Sequence, residues 1–247
     1  AERTGNLTLT ANAQVQEVVY DPKTGKASGV RYVDTVTKQE VVVSARVVFM
    51  CASTLGSVQI LLNSRSEQFP NGIGNWCGVF GHYVMDHNRS SGASGMMPGY
   101  LDDYYVGRSP SGLYVPRVVN LKGQDREFVR GYGMQGRAGR AGWRGAAGKK
   151  GIGKEFKDSN REPGNWWVSV VAFGEMLPRY ENRVYLHESK IDMWGMPLLV
   201  TDLARGENTR KMKEDMTKEA ENMLKAAGLK NVSSRNGESI PGTAIHE

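Results

Sequence analysis

The stretch from Leu7 to Met50 constrains the chain most, because its apolar residues recur with a strand's spacing and polar turns interrupt it. LTLTANAQVQEVVYD alternates through Leu7, Leu9, Val15 and Val18, and DPKTGK then supplies the Pro and Gly of a turn. ASGVRYVDTVT and QEVVVSARVVFM follow, rich in the β-branched residues that fit a pleated surface. Three strands joined by short polar turns predict an antiparallel meander. VVFM is apolar without interruption, so the last strand is expected to be buried on both faces.

After Cys51 the period changes. Ser57 is expected to cap a helix whose apolar positions include Val58, Leu61 and Leu62. The unit reads as meander, buried strand, CASTLGS turn and helix. A strand feeding a helix N-terminus leaves amides pointing outward, which suits a phosphate or a cofactor edge. Residues 70–100 read as loop, centred on PNGIGNWCGVFGHYVMDH. Gly72, Gly74 and Gly78 give GxGxxxG there, with no strand before them, so the dinucleotide fingerprint fails on spacing.

Residues 100–201 alternate strand-like runs (GLYVPRVVNL, WWVSVVAFG, NRVYLHE, MPLLVTDL) with glycine-rich connections, and no regular repeat runs through them. They predict a second domain built on an antiparallel sheet. The clearest helix is 208–227, with Asn208 or Thr209 as its cap and Gly228 where a left-handed residue is wanted. Met212, Met216, Ala220, Met223, Leu224 and Ala227 share one face at helical spacing, which reads as core packing. KNVSSRNGES behind it reads as a polar connection.

At 247 residues, with 39% hydrophobic and 23% charged, the chain is large enough to bury the core of one large domain or two ordinary ones. No run of about 18 apolar residues exists, so no membrane span is expected. AERTGNLTLT lacks the layout of a signal peptide, and any targeting segment is expected outside this chain. Cys51 and Cys77 are the only cysteines, and Cys51 closes an apolar run, so a buried free thiol is expected rather than a disulfide. There is no CxxC or HxxxH, and the histidines are scattered at 82, 87, 187 and 246, so no metal site is expected. The net charge of +6 is local: eleven Lys and Arg lie between Lys122 and Arg161, against Asp125, Glu127, Glu155 and Asp158. Such a stretch meets a polyanion or is a solvated surface.

Read together, four stretches resemble the glucose-methanol-choline (GMC) flavoprotein oxidoreductases, nearest the gluconate and ketogluconate dehydrogenase branch. TGNLTLTANAQVQEVVYDPKTGKASGVRYVD resembles the family's adenine-side strand and meander, and ARVVFMCASTLGSVQILLNS its second signature, with Cys51-Ala52 in place of the usual Gly-Ala. GNWCGVFGHYVMDH resembles the passage out of the flavin domain. NRVYLHESKIDMWGMPLLVTDL, the 208–227 helix and PGTAIHE resemble the return path. The resemblance implies an α+β chain, with a partial FAD-binding domain over 1–88 (meander, strand and helix, without the Rossmann GxGxxG unit). It further implies an antiparallel substrate-binding domain over 89–236 and the start of a return segment over 237–247. It implies an internal segment of a longer enzyme, inactive alone, because the pyrophosphate-binding unit and the catalytic His are expected outside it.

The chemistry so implied is oxidation of a CH–OH group of a sugar, sugar acid or alcohol, with hydride passing to flavin N5. The partners implied are that substrate, the absent flavin-domain segments and an electron-acceptor subunit, with a periplasmic address. The acceptor itself stays open. Val15 would offer backbone groups to adenine; Ala52, Ser53 and Thr54 would lie along the flavin or pyrophosphate, with Ser57 capping the helix. Asn75, Asp86 and His87 fall in the flavin-adjacent passage, and His246 and Glu247 would touch FAD in the intact enzyme. No catalytic residue is expected within this chain. Met134, Gln135, Trp166, Trp167 and Phe173 would line the substrate face.

Two other readings stay open. GYGMQGRAGRAGWRGAAGKKGIGK spaces arginines among glycines, as nucleic-acid-binding segments do. The chain could also be a stable, inactive substrate-domain piece of the oxidoreductase.

Overall fold

The computed structural model describes residues 1–101, 112–117, 119–122, 125–140, 149–161 and 164–237. In chain order these form β1 (Ala13–Asp21), β2 (Lys26–Asp34), β3 (Glu40–Ser44), α1 (Ser53–Asn63), β4 (His87–Met97), β5 (Leu113–Val115) and β6 (Tyr132–Arg140). There follow α2 (Gly153–Ser159), β7 (Trp166–Glu175), β8 (Arg183–Ile191), β9 (Pro197–Asp202), α3 (Glu207–Ala226) and β10 (Lys230–Asn236). Every strand pairing among them is antiparallel, which gives the α+β class expected. The described residues divide into two compact units, one of residues 1–85 with 178–204, the other drawn from 86–177 with 205–237.

In the first unit β1, β2 and β3 form the meander, with Val15 opposite Tyr32 and Tyr32 opposite Val41. Its turns are built by aspartates. Asp21 accepts the Lys23 N–H at 2.9 Å and the Thr24 hydroxyl at 2.8 Å. Asp34 accepts the N–H groups of Val36 and Thr37, both at 2.9 Å. These bonds favour the charged form, so both carboxyls are held below their ordinary range, chiefly by the Lys23 and Thr37 amides. β1 is an edge strand, and the end of α1 covers it: Ser64 Oγ accepts the Val18 N–H at 2.8 Å, and Asn63 donates to the Gln16 carbonyl at 3.0 Å. The Gln16 bond falls at the bulge where the β1–β2 register shifts between Val15 and Glu17.

The β8–β9 hairpin belongs to this unit, tied by Gln59 donating to the Pro197 carbonyl at 2.9 Å and Gln16 to the Trp194 carbonyl at 3.1 Å. Lys38 Nζ stands 3.7 Å above the Trp194 ring. These long-range bonds draw 178–204 out of the continuous 89–236 stretch that the sequence suggests.

The second unit is a five-stranded sheet in the order β10-β4-β7-β6-β5, with α3 packed on one face. Met212, Met216 and Ala220 are fully buried against Met134, Val170 and Ala172 of the sheet. The expected apolar face is therefore core as far as Leu224, while Ala227 is exposed. The sheet accepts the methionines because Gly174 leaves room: a Cβ there would lie 2.5 Å from Met216 Cε and 2.6 Å from Met212 Sδ. Gly228, at φ 86°, ends α3 as expected, with Leu229 N donating to the Leu224 carbonyl at 3.1 Å.

Several sequence expectations differ from the structure. Strand β1 begins only at Ala13, after Asn12 turns left-handed at φ 56°. Residues 45–50 are not a strand and not buried: Phe49 is 83% exposed and Cys51 is an exposed free thiol. Uninterrupted apolarity predicted burial, but no described strand pairs with this segment, so nothing covers it. Helix α1 starts at Ser53 with Ala52 as N-cap, which leaves Ser57 inside the helix rather than capping it. Likewise α3 starts at Glu207 behind Gly206, and Asn208 instead accepts the Val129 N–H at 2.8 Å. β4, β6 and β10, read from sequence as loop or polar connection, are sheet strands.

No described helix is long and apolar enough to cross a membrane. Among the described residues no cluster of His, Cys, Asp or Glu could hold a metal ion.

Candidate functional site

Two concavities carry the residues of interest, one within each unit. In the first, the opening turn of α1 borders a cavity of about 310 Å³. Thr54, Leu55 and Val58 line it from the helix, and Gly74, Phe80 and His82 from the loop that follows. Ser53 is left-handed at φ 62°, a conformation that costs a residue with a Cβ and so marks a tight, determined turn. No side chain caps the helix start. Its first amides and the Thr54 hydroxyl therefore border a wall that is otherwise largely apolar.

His82 is fixed in this wall. Its Nδ1–H donates to the Tyr180 carbonyl at 2.7 Å and its ring stacks on Tyr180 at 4.1 Å. With Nδ1 donating, Nε2 of the neutral ring is the acceptor. Gly81, at φ 91°, has no room for a Cβ against the Val184 carbonyl, which holds this loop on β8. Asn75 braces the same loop, accepting the Phe80 N–H at 3.2 Å and donating to the Asn71 carbonyl at 3.2 Å.

In the second unit the sheet face away from α3 holds a cavity of about 670 Å³. Register explains its floor. Ser233, Ser94, Ser169 and Arg137 stand opposite one another across β10, β4, β7 and β6. Two residues along, Arg235, Gly92, Val171 and Gln135 form the neighbouring row. Gly92 is forced by its partner, since a Cβ there would run into the Val170 carbonyl.

The residues expected from sequence distribute as follows. Thr54 lines the first cavity, with Ala52 and Ser53 exposed beside it and Ser57 half-buried a turn further along α1. Val15 is half-buried in β1, outside that cavity. Asp86 is buried and accepts the His87 N–H at 2.6 Å, while His87 is exposed at the start of β4; both lie in the second unit. His246 and Glu247 lie outside the described residues. Of the substrate-face set, Gln135 and Phe173 line the large cavity. Trp167 alternates onto the same face and stands 5.4 Å beneath the Arg137 guanidinium. Met134 faces the other way into the α3 core, and Trp166 donates to the Tyr100 carbonyl at 3.0 Å. Arg137, Arg235, Ser94 and Ser233 escaped the sequence reading because their strands are rich in Gly, Ser and Arg, and Ser169 because its strand β7 was read only for its apolar residues. Strict alternation of Gln135 and Arg137 with Met134 was the available signal.

The residues Tyr132–Arg140, the start of the Gly/Arg-rich stretch, form a strand between β5 and β7. Arg140 is engaged by the fold, donating to the carbonyls of Gly164 at 2.7 Å and Leu101 at 2.8 Å. Residues 141–148 lie outside the described set.

Residues 1–84, which carry the meander, α1 and the first cavity's loop, match the model of the GMC oxidoreductase family. The chain is also similar to the 2-methyl-1,2-propanediol dehydrogenase of Mycolicibacterium austroafricanum, at 30% identity over 194 residues. That similarity covers 76% of this chain and 34% of the relative, so the chain spans about a third of that protein's length.

Proposed function

We propose that the whole chain is part of a GMC-type, flavin-dependent oxidoreductase that oxidises a CH–OH group of a sugar, sugar acid or alcohol. The observation that carries it is the open start of α1 on its cavity, inside the segment that matches the family. An uncapped 11-residue helix offers partial positive charge to an anion or a polarised ring edge, and the apolar wall suits a flat ring. Those features fit one edge of a flavin nucleotide; 310 Å³ is near the lower end for a ligand site, so the rest of the group would lie beyond this cavity.

Ala52, Ser53 and Thr54 would hold the flavin edge, with Ser57 behind them and Val15 on the adenine side. Asn75 orders the loop facing α1, and Asp86, His87, His246 and Glu247 are the further contacts proposed. FAD when bound supplies the hydride acceptor. The first unit is then flavin-side and the second substrate-side, with Gln135, Trp167 and Phe173 on the open floor. Met134 and Trp166 support that floor from behind.

The relative's name points to a diol as donor, and 2-methyl-1,2-propanediol and glucitol are the probes to try first. The test is flavin absorbance of the purified protein and its bleaching by donor without oxygen. Thr54→Trp, which fills the α1 cavity, should abolish retained flavin while the circular dichroism stays unchanged. Flavin retained at full occupancy in that variant would remove the cavity from the site. A second reading, a folded but inactive segment, is favoured by the self-contained α3 core of the second unit; a chain that melts cooperatively without flavin would support it.

A further inference from the structure

The short helix α2, which lies between β6 and β7 in the chain, belongs to neither cavity, and neither the family match nor the relative's name accounts for it. None of its residues is buried. Just before it, Ile152 is 94% exposed, the highest value for a large apolar side chain among the described residues. Two glycines hold it there: Gly151 at φ 154° and Gly153 at φ 84° adopt backbone angles that a residue with a Cβ enters only at a cost. Phe156 folds back onto the first of them, since a Cβ at Gly151 would lie 2.6 Å from its ring. Lys149 Nζ donates to Asn160 Oδ1 at 3.1 Å, and Asn160 Nδ2 donates to the Phe156 carbonyl at 2.6 Å. These bonds close residues 149–160 into a tip that carries Ile152 in water.

The charge around Ile152 is one-sided. Over residues 149–161 five cations, Lys149, Lys150, Lys154, Lys157 and Arg161, stand against Glu155 and Asp158, a net charge of +3 from five minus two. Asp158 is taken by Lys154 at 2.6 Å and Arg161 at 3.5 Å, which leaves Lys150 and Lys157 exposed and outside those ion pairs. An apolar side chain ringed by ammonium groups matches a surface that is anionic outside and apolar beneath. An acidic protein would engage the lysines and have no use for Ile152. A nucleic acid would seek a ring on which to stack a base, and Phe156 is already turned onto Gly151.

We propose that this tip docks the protein on an anionic lipid surface, with Ile152 entering the acyl boundary and Lys150, Lys154 and Lys157 on headgroup phosphates. The inference stands on the tip alone and does not depend on the oxidoreductase reading. The attachment is reversible, because one apolar side chain and a few cations supply only a shallow anchor, and it weakens as salt screens the lysines.

The probes are vesicles of phosphatidylcholine alone and of phosphatidylcholine mixed with phosphatidylglycerol, with binding of the full chain read by co-sedimentation at low salt. The chain should bind the mixed vesicles and leave the neutral ones. Lys150→Gln and Lys157→Gln should each weaken that binding about fivefold. Ile152→Ser should weaken it about tenfold. Thermal melting should be preserved in all three, because these side chains are exposed. In Ile152→Trp, the added fluorescence should be quenched by brominated acyl chains in the mixed vesicles beyond any quenching of the unmutated protein. No binding to the mixed vesicles, equal binding to both kinds, or binding indifferent to Ile152→Ser overturns the proposal. So does equally tight retention on polyglutamate or on a single-stranded oligonucleotide that the lysine variants weaken and Ile152→Ser leaves unchanged, which would assign the tip to an acidic protein or a nucleic acid.

Discussion

Gly174 meets the α3 methionines at close quarters, and the contact allows a two-residue experiment. Met216→Ala removes three heavy atoms from a fully buried site, which by analogy with other cores should cost about 3 kcal/mol. Gly174→Ala places a Cβ 2.5 Å from Met216 Cε, 2.6 Å from Met212 Sδ and 3.2 Å from Tyr132 Cβ. Overpacking of that kind costs about 1–3 kcal/mol, and the backbone entropy lost with glycine returns only part of it. In the double variant the added methyl enters space that Met216 has left, so one of the two severe contacts vanishes and the hole partly fills. Its total should fall short of the sum of the single variants by about 1 kcal/mol. Amide hydrogen exchange in β7 and α3 reads the opening free energy of this core directly, whatever the first unit does. Additivity within about 0.3 kcal/mol, or a Gly174→Ala variant more stable than the parent, would refute the account of how α3 seats on the sheet.

Three further outcomes follow from single contacts. Ser64→Ala leaves the Val18 N–H without its acceptor at a site 2% exposed, and should destabilise the first unit by about 1–3 kcal/mol in urea titration; no change would mean water replaces the hydroxyl. Tyr132 is buried and donates to Asp215 Oδ2 at 2.7 Å, and burial, then that bond, pushes its phenol well above the ordinary range. Its contribution is whole below the unfolded tyrosine pKa near 10 and is lost as pH rises beyond it, so Tyr132→Phe should flatten the alkaline decline in stability. Asp34, held low chiefly by the Thr37 amide, contributes fully above about pH 4 and loses that contribution as acid protonates it; Asp34→Ala should flatten the acid limb and lower stability at neutral pH.

The meander and α3 were legible in sequence because their determinants are local. Asp21 and Asp34 close their turns within three residues, and the methionine stripe needs only helical spacing to be recognised. The turn into α1 was legible for the same reason, since a turn into a helix can be read from consecutive residues. The open floor was not. Apart from Ser169 on β7, its serines and arginines lie on β4, β6 and β10, strands whose glycines and serines resemble loop chemistry when seen one at a time. Gly92 is small because the Val170 carbonyl crowds it from 78 positions away in sequence, and Gly174 because two methionines of α3 do. Residues 47–50 show the converse: their apolarity predicted burial, but burial requires a covering partner, and none is described. Sequence alone thus determined which segments could be helix, turn or strand, through contacts a few residues apart. Only the tertiary structure decided which strands lie side by side, and with them which face carries Arg137, Ser169 and Arg235, because cross-strand register joins residues that no local pattern connects.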